Sequence, residues 1–346
     1  MCTTYIFIPK NPNLNHCPES FYQALYSKSD CSNNLQRIHR VNLETCLYFF
    51  QTLKNLKSGE YISLFFFALQ LDYVFLISFL RIIRILIPKE IKVYYMMHEP
   101  KLEIGRVNPI KALLVNFFNL LLGYLSSKVF LPSNEAVVKA KSFVENHKIS
   151  QINLTFISIP DKILESNFSQ LKCNWNNLKT FSYIGTAYKD KNPQGFISFA
   201  AIIHKYYGEV TRCIRAGAEK NIRVNYDEEL IVRFPGYVSP NAKNFLLGLT
   251  HFLVIPYSVS TQSGVIPEAL SYGKPLILND IPAFYSLKGL KFIFMIDFND
   301  ENSIISCINY LMSMDADDYN SRCWEAVKYF RENHSIEYLS KSLNNI

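Results

Sequence analysis

The carboxylate best placed to do chemistry in this sequence is Glu268, in the stretch His251 to Tyr285, HFLVIPYSVSTQSGVIPEALSYGKPLILNDIPAFY. FLVIPY is a short apolar run of the kind that a fully buried parallel strand requires, and it stops at a polar loop, Ser258 to Gly264. A helix follows, with Pro267 in a first turn where its missing N–H costs nothing, Glu268 next, and Gly273 as its stop. A strand resumes at Pro275. The backbone N–H groups around Ser263, Gly264 and Val265, with the positive end of the helix dipole, make this loop an anion site with a carboxylate beside it. A plainer reading makes Glu268 only a first-turn acid that complements the dipole. Local physics leaves both open.

Two other residues occupy places where an open α/β sheet carries its ligands, outside the carboxyl ends of strands. His98 ends the strand-like run IKVYYMMHEP, and Lys191 lies in a lysine-rich loop within FSYIGTAYKDKNPQGF. A lone histidine is as readily structural as functional, and a loop lysine is as readily a solvated charge. The twelve glycines include no G-x-G, which excludes a dinucleotide fingerprint and a phosphate-binding P-loop, and with them dehydrogenase and P-loop ATPase chemistry. The seven histidines show no metal-ligand spacing, so neither a metal nor a cofactor is expected.

The elements that would position these residues alternate between strand and helix throughout. YIFIP (5–9) reads as a first strand, Lys10 to Ser20 as loop, Leu43 to Leu56 as helix and YISLFFFAL as a buried strand. The segment 61–88 is long enough to span a membrane, but Asp72 lies within it and Arg81 and Arg84 near its end, and charge at bilayer depth is costly. It is read instead as a strand ending near Leu69 and a helix with Asp72 as N-cap. A second apolar helix covers 110–125, and Ser133 caps another with Glu135 in its first turn. INLTFISIP (152–160) reads as the closing strand of a first domain, and polar Asp161 to Thr180 as a linker. Beyond it, strands around RCIRAGA, LIVRFPGYVS, FLVIPY, KPLILND and LKFIFMIDF alternate with helices, and three helical stretches complete the chain. Domains are therefore expected at 1–165 and 166–330, with 331–346 a terminal helix crossing back to the first.

At 346 residues with 19% charged side chains the chain is an ordinary globular protein of two-domain size. Its net charge of +7 is uneven: residues 1–150 hold 17 Lys and Arg against 10 Asp and Glu, and the remainder 19 against 19. The excess is dispersed and no nucleic-acid module is present, so an anionic membrane surface fits better than nucleic acid. The two apolar helices and this bias suit a domain resting on a membrane without crossing it. No cationic, apolar leader opens the sequence, and eight irregularly spaced cysteines read as reduced thiols, which together imply the cytoplasmic side.

The wording of the central stretch resembles the donor-binding segment of family-4 retaining glycosyltransferases of the GT-B fold, particularly members with TQSGVIPEA followed by YGKP. That resemblance implies two Rossmann-like parallel-sheet domains facing a cleft, and metal-independent transfer of a sugar from a nucleotide diphosphate sugar. The family frames its donor site with two glutamates separated by seven residues. Glu268 matches the second, which holds the ribose hydroxyls, whereas Ser260 stands at the first. Gln262, Ser263, Gly264 and Val265 belong to the same donor loop by resemblance. Gly185 and Lys191 match the family's GR....K loop, in which the lysine binds the diphosphate, but Thr186 replaces the arginine. His98 matches a histidine that faces the transferred sugar. The catalytic set implied is His98, Lys191 and Glu268. Basic charge and apolar helices in the acceptor-side half imply a lipid-linked oligosaccharide acceptor in surface-polysaccharide assembly, at the inner face of the cytoplasmic membrane. Asp315-Ala316-Asp317 spells the metal-binding D-x-D of another glycosyltransferase fold, but its place before a helical run reads as a cap. The departures at 186 and 260 keep open a catalytically weak nucleotide-sugar or glycan-binding subunit, and a nucleotide-sugar epimerase stands as a third reading.

Overall fold

The structure, a computed structural model, describes residues 2–9, 16–26, 35–101, 108–175, 178–260 and 263–343. They form two compact units, Met1–Phe156 with His334–Ile346, and Ile157–Asn333. Each is built on a six-stranded, wholly parallel sheet.

The first unit runs β1 (Cys2–Phe7), α1 (His16–Tyr26), β2 (Leu35–Ile38), α2 (Leu43–Asn55), β3 (Tyr61–Phe66), α3 (Leu71–Leu86), β4 (Glu90–Met96), α4 (Pro109–Leu125), β5 (Lys128–Leu131), α5 (Asn134–Ala140) and β6 (Ile149–Gln151), in the order β2-β1-β3-β4-β5-β6. Parallel strands covered on both faces need apolar residues in succession, and alternation then sends them to opposite cores. Tyr5, Phe7, Leu64 and Phe66 join the cluster made with α2, α3, α4 and α5, whereas Ile6, Phe65 and Phe130 join the one made with α1. Leu339 and Leu343 of the last helix complete that second cluster. The helix packs on α1, and Ser340 Oγ donates to the Ala24 carbonyl at 3.2 Å.

The second unit runs α6 (Asp161–Asn174), β7 (Lys179–Ile184), α7 (Pro193–Tyr207), β8 (Thr211–Gly217), β9 (Ile231–Pro235), α8 (Pro240–Leu249), β10 (Phe252–Ile255), α9 (Val265–Ser271), β11 (Leu276–Asn279), β12 (Ile293–Ile296), α10 (Glu301–Ser313) and α11 (Ala316–Asn333). The terminal helix of the first unit is α12 (Ile336–Leu343). The second sheet has the order β12-β11-β10-β7-β8-β9. From β7 the chain winds outward through β8 and β9, and from β10 outward through β11 and β12. The adjacent pair β7 and β10 is therefore the topological switch point, where a crevice opens above the strand ends.

Four local expectations need correction. The run 152–160 is no strand: β6 ends at Gln151, and Ile152 and Leu154 enter the core as irregular chain with the Ile152 N–H on the Leu131 carbonyl. Asp161 to Thr180 is no linker, because 161–174 is α6, with Leu164, Phe168 and Leu171 buried at helical spacing. Asp72 is not the N-cap of α3; Gln70 holds that position with no side-chain cap, and Asp72 is a first-turn acid. The loop expected at Lys10 to Ser20 gives way to α1 from His16, residues 10–15 lying outside the described residues. Segment 61–88 forms β3 and α3, and among the described residues no helix is long and apolar enough to cross a membrane.

Candidate functional site

The loops that leave β7 and β10 meet above the switch point, and they carry most of the residues singled out from sequence. Gly185 leaves β7 at φ 123°, a region that disfavours a side chain, and its N–H donates to the Ala216 carbonyl at 2.8 Å. The loop after β8 lies close against it. A Cβ at Gly217 would fall 2.1 Å from the Gly185 carbonyl oxygen, so only glycine fits there. Ala187 and Lys220 continue the zipper with bonds of 2.8 and 2.9 Å between the two loops. Thr186 is partly buried between them.

Lys191 closes a tight turn before α7, whose N-cap, Asn192, takes a left-handed conformation and accepts the Gly195 N–H at 3.0 Å. The carbonyl of Asp190 accepts the N–H groups of Ser258 and Val259 at 3.0 and 3.3 Å, which binds the β7 loop to the β10 loop. Lys191 Nζ then stands 3.7 Å from the centroid of the Tyr257 ring. A cation over an aromatic face is held in direction as well as attracted. The Tyr257 ring is buried, and burial pushes its hydroxyl up to about 12, the neighbouring Ser263 hydroxyl and the Arg215 charge pulling the other way. Val265 completes this wall, 3.6 Å from where a Cβ at Gly185 would be. Ser263 and Gly264 are partly exposed, Ser260 is buried, and Gln262 lies outside the described residues.

Glu268 projects from α9, which ends in the hydrogen-bond pair of a Schellman motif, Gly273 N–H to Leu270 and Lys274 N–H to Ala269, with Gly273 at φ 63°. The helix has seven residues. Two turns sum few peptide dipoles, so its charge field is smaller than the sequence implied. Glu268 Oε1 lies 2.6 Å from Lys243 Nζ, on the first turns of α8. Neither partner is fully buried; the side chains are 17% and 30% exposed, within reach of a ligand.

Sequence reasoning missed Lys243, which nothing in PNAKNF marks, and it missed Arg215, which a signal did mark. Arg215 interrupts the apolar strand RCIRAGA, and an arginine in a buried strand must be paired. It is 1% exposed, stacks on Tyr183, and donates to Tyr226 Oη at 3.2 Å and to the carbonyls of Tyr183, Ala216 and Ala218. Glu219 lies 4.0 Å from it and 3.6 Å from Arg233. A buried cation is thus fixed beneath the same glycine loop.

His98 belongs to the first unit. Its Nε2 lies 2.9 Å from the Phe67 carbonyl just past the end of β3; a carbonyl only accepts, so Nε2 carries a proton. The buried Asn119 of α4 holds the next residues, donating to the Glu99 and Pro100 carbonyls at 2.7 and 3.3 Å while accepting from Tyr95 Oη at 2.8 Å. On the same unit α3 and α4 pack together and leave Ile82, Ile85 and Leu86 on one, and Leu113, Phe117 and Tyr124 on the other, more than half exposed, beside exposed Arg84 and Lys111. Asp315 caps α11 by accepting from Asp317 and Asp318 N–H, and Asp317 pairs with Lys172 at 2.6 Å.

The sequence matches no known protein family and no curated protein. Solved structures do resemble it over both units. Anabaena HepE in complex with UDP has a TM-score of 0.66 at 12% identity, covering 100% of this chain and 99% of that one. The N-terminal domain of Candida albicans trehalose-6-phosphate phosphatase gives 0.65 at 11%, covering 99% and 96%. A UDP-forming trehalose-phosphate synthase from Burkholderia xenovorans in complex with glucose-6-phosphate gives 0.61 at 10%, covering 100% and 98%. The fold is GT-B, two Rossmann-like parallel-sheet domains.

Proposed function

We propose that this chain is a retaining, metal-independent glycosyltransferase that moves a sugar from a UDP-sugar to a lipid-linked oligosaccharide in surface-polysaccharide assembly. The observation that carries the reading is the meeting of the β7 and β10 loops above the switch point, with Lys191 over Tyr257 and the Asp190 carbonyl on the Ser258 and Val259 N–H groups, and Glu268 on the helix that follows. It is a site where this architecture binds ligands. Breaking a sugar–diphosphate bond builds positive charge on the sugar and negative charge on the departing phosphate. Lys191, oriented by Tyr257, and the backbone N–H groups of Ser263, Gly264 and Val265 meet that negative charge as fixed donors. Gly185 and Thr186 let the β7 loop lie close to the diphosphate, Gln262 belongs to the same donor loop, and Glu268 takes the ribose hydroxyls. By the resemblance, His98 of the first unit is the residue that contacts the transferred sugar. The apolar face of α3 and α4 with its basic rim rests on the anionic inner face of the cytoplasmic membrane, where a lipid-linked acceptor is found.

One observation favours a second reading. Ser260 stands where the related family has a sugar-gripping glutamate, and it is buried, as a catalytically weak nucleotide-sugar-binding subunit would tolerate. Calorimetric titration of the full chain with UDP and a panel of UDP-sugars in EDTA, on wild type and Glu268→Ala, tests the proposal. Binding by the wild type and its loss in the variant supports the site, and transfer of labelled sugar to an extracted glycolipid separates enzyme from binding subunit. If no nucleotide binds, with EDTA or with added magnesium or manganese, the proposal is wrong.

A further inference from the structure

We propose that Lys243 is a positioning residue that sets the Glu268 carboxylate for the two ribose hydroxyls, so that the pair decides between ribo- and deoxyribonucleotides. The inference rests on the donor-site reading above.

A first-turn acid needs no partner to complement its helix, yet Glu268 has one at 2.6 Å, delivered by a different helix. Lys243 comes from the first turns of α8, where the Ser239 hydroxyl accepts the Ala242 N–H at 3.2 Å and the Lys243 N–H bonds the Ser239 carbonyl at 2.9 Å. Because α8 follows β9 and α9 follows β10, both helices begin at the carboxyl edge of the sheet, the edge that holds Lys191 and Tyr257. Lys243 is thus fixed at its base by its own cap, and its ammonium reaches Glu268 alone among the ion pairs of the described residues.

The chemistry of the contact favours recognition over stability. Ion pairs this exposed add little to folding. A carboxylate that binds a vicinal diol must be ionised and must present both oxygens in the plane of the hydroxyls. A single ammonium on Oε1 meets the second condition: it fixes the carboxyl rotation, while Oε2 and the second lone pair of Oε1 stay open to O–H donors. Without Lys243 the carboxylate loses its direction, and hydrogen bonds to the diol weaken with it.

The test is titration of UDP and 2′-deoxy-UDP into wild type, Glu268→Gln, Lys243→Met and Lys243→Arg, with thermal midpoints recorded for each. The expected result is that Lys243→Met weakens UDP about tenfold, leaves 2′-deoxy-UDP within about twofold, and keeps its midpoint, while Lys243→Arg restores most of the UDP affinity. Equal weakening of both nucleotides would mean that Lys243 serves the diphosphate or the fold, and would overturn the inference. So would unchanged UDP binding in Lys243→Met when Glu268→Gln has lost it. Failure of UDP to bind the wild type is a different result, because it removes the donor-site reading itself.

Discussion

Acid should unfold the second domain through one histidine, and the geometry sets the size of the effect. His251 opens the segment that leads into β10; it is 2% exposed and its Nδ1 accepts the Thr180 N–H at 3.0 Å, joining β10 to β7. Nε2 faces the Leu171 carbonyl at 3.4 Å, so the ring is the neutral tautomer with its proton there. Protonation would put a second proton on Nδ1, against the Thr180 N–H. Burial first, then the nearby Lys274 charge, lowers the pKa to about 3 from the ordinary 6.5. The unfolded chain therefore binds a proton that the folded chain refuses, and stability falls as pH drops from about 6.5 towards 3. At pH 5 the loss is RT times the logarithm of the unfolded-state protonation factor, about 2 kcal/mol. His251→Gln keeps an acceptor for Thr180 and cannot titrate. Lost ring packing against Trp175 and Tyr319 should make it about 1–2 kcal/mol less stable at pH 7.5. By pH 5 the wild type has lost what the variant never had, and the gap should close. Urea melts followed by tryptophan fluorescence suit the measurement, since both tryptophans, Trp175 and Trp324, lie in the second unit. A gap between the two proteins that stays constant from pH 7.5 to 5 would refute the argument.

Gly217→Ala should cost about 3 kcal/mol or more and abolish nucleotide binding, because its Cβ would collide with the Gly185 carbonyl at φ 132°. Gly59→Ala, at φ 80° with open space around it, is the control for backbone strain alone and should cost about 1 kcal/mol in a chemical melt. Equal losses in the two would count against the close approach of the β7 and β8 loops. Ile85→Asp with Phe117→Asp changes two side chains that are 82% and 56% exposed, so the thermal midpoint should stay put. Sedimentation with vesicles rich in phosphatidylglycerol should fall about tenfold or more relative to wild type, and unchanged sedimentation would remove the membrane face from the proposal.

The strands were legible in the sequence because a strand buried on both faces must be apolar end to end, as FLVIPY and YISLFFFAL are. What escaped was structure whose signal lies in spacing diluted by polar residues. Leu164, Phe168 and Leu171 form a regular helical stripe in α6, but the polar residues between them hid it. INLTFISIP failed in the opposite sense: it is apolar enough for a strand, yet β6 pairs with β5 only over Ile149–Gln151, and Ile152 and Leu154 beyond it are buried outside any strand. Apolarity fixed burial there and could not fix hydrogen bonding.

The candidate site divides in the same way. Gly185, Lys191 and the Ser258–Val265 loop could be found because strand ends and loops are local features, and the crevice then follows from strand order. Lys243 could not be assigned a place locally, since it acts through a partner brought near only by the sheet, and Arg215 adds to its local partners Tyr183 of the neighbouring strand. Arg215 shows what this changes. Thr186 stands where the GR....K loop that the sequence resembles has an arginine, which reads as a weakened cation site, but the structure fixes a guanidinium beneath the neighbouring glycines. Its N–H groups go to the carbonyls of the β7 and β8 ends and to Tyr226. Arg215 therefore supplies positive field and loop rigidity, and it does not replace the hydrogen bonds that an arginine at 186 would have offered a diphosphate. If the donor site is as proposed, those bonds fall to Lys191 and the loop N–H groups, and phosphate binding there depends most on the orientation of Lys191 over Tyr257.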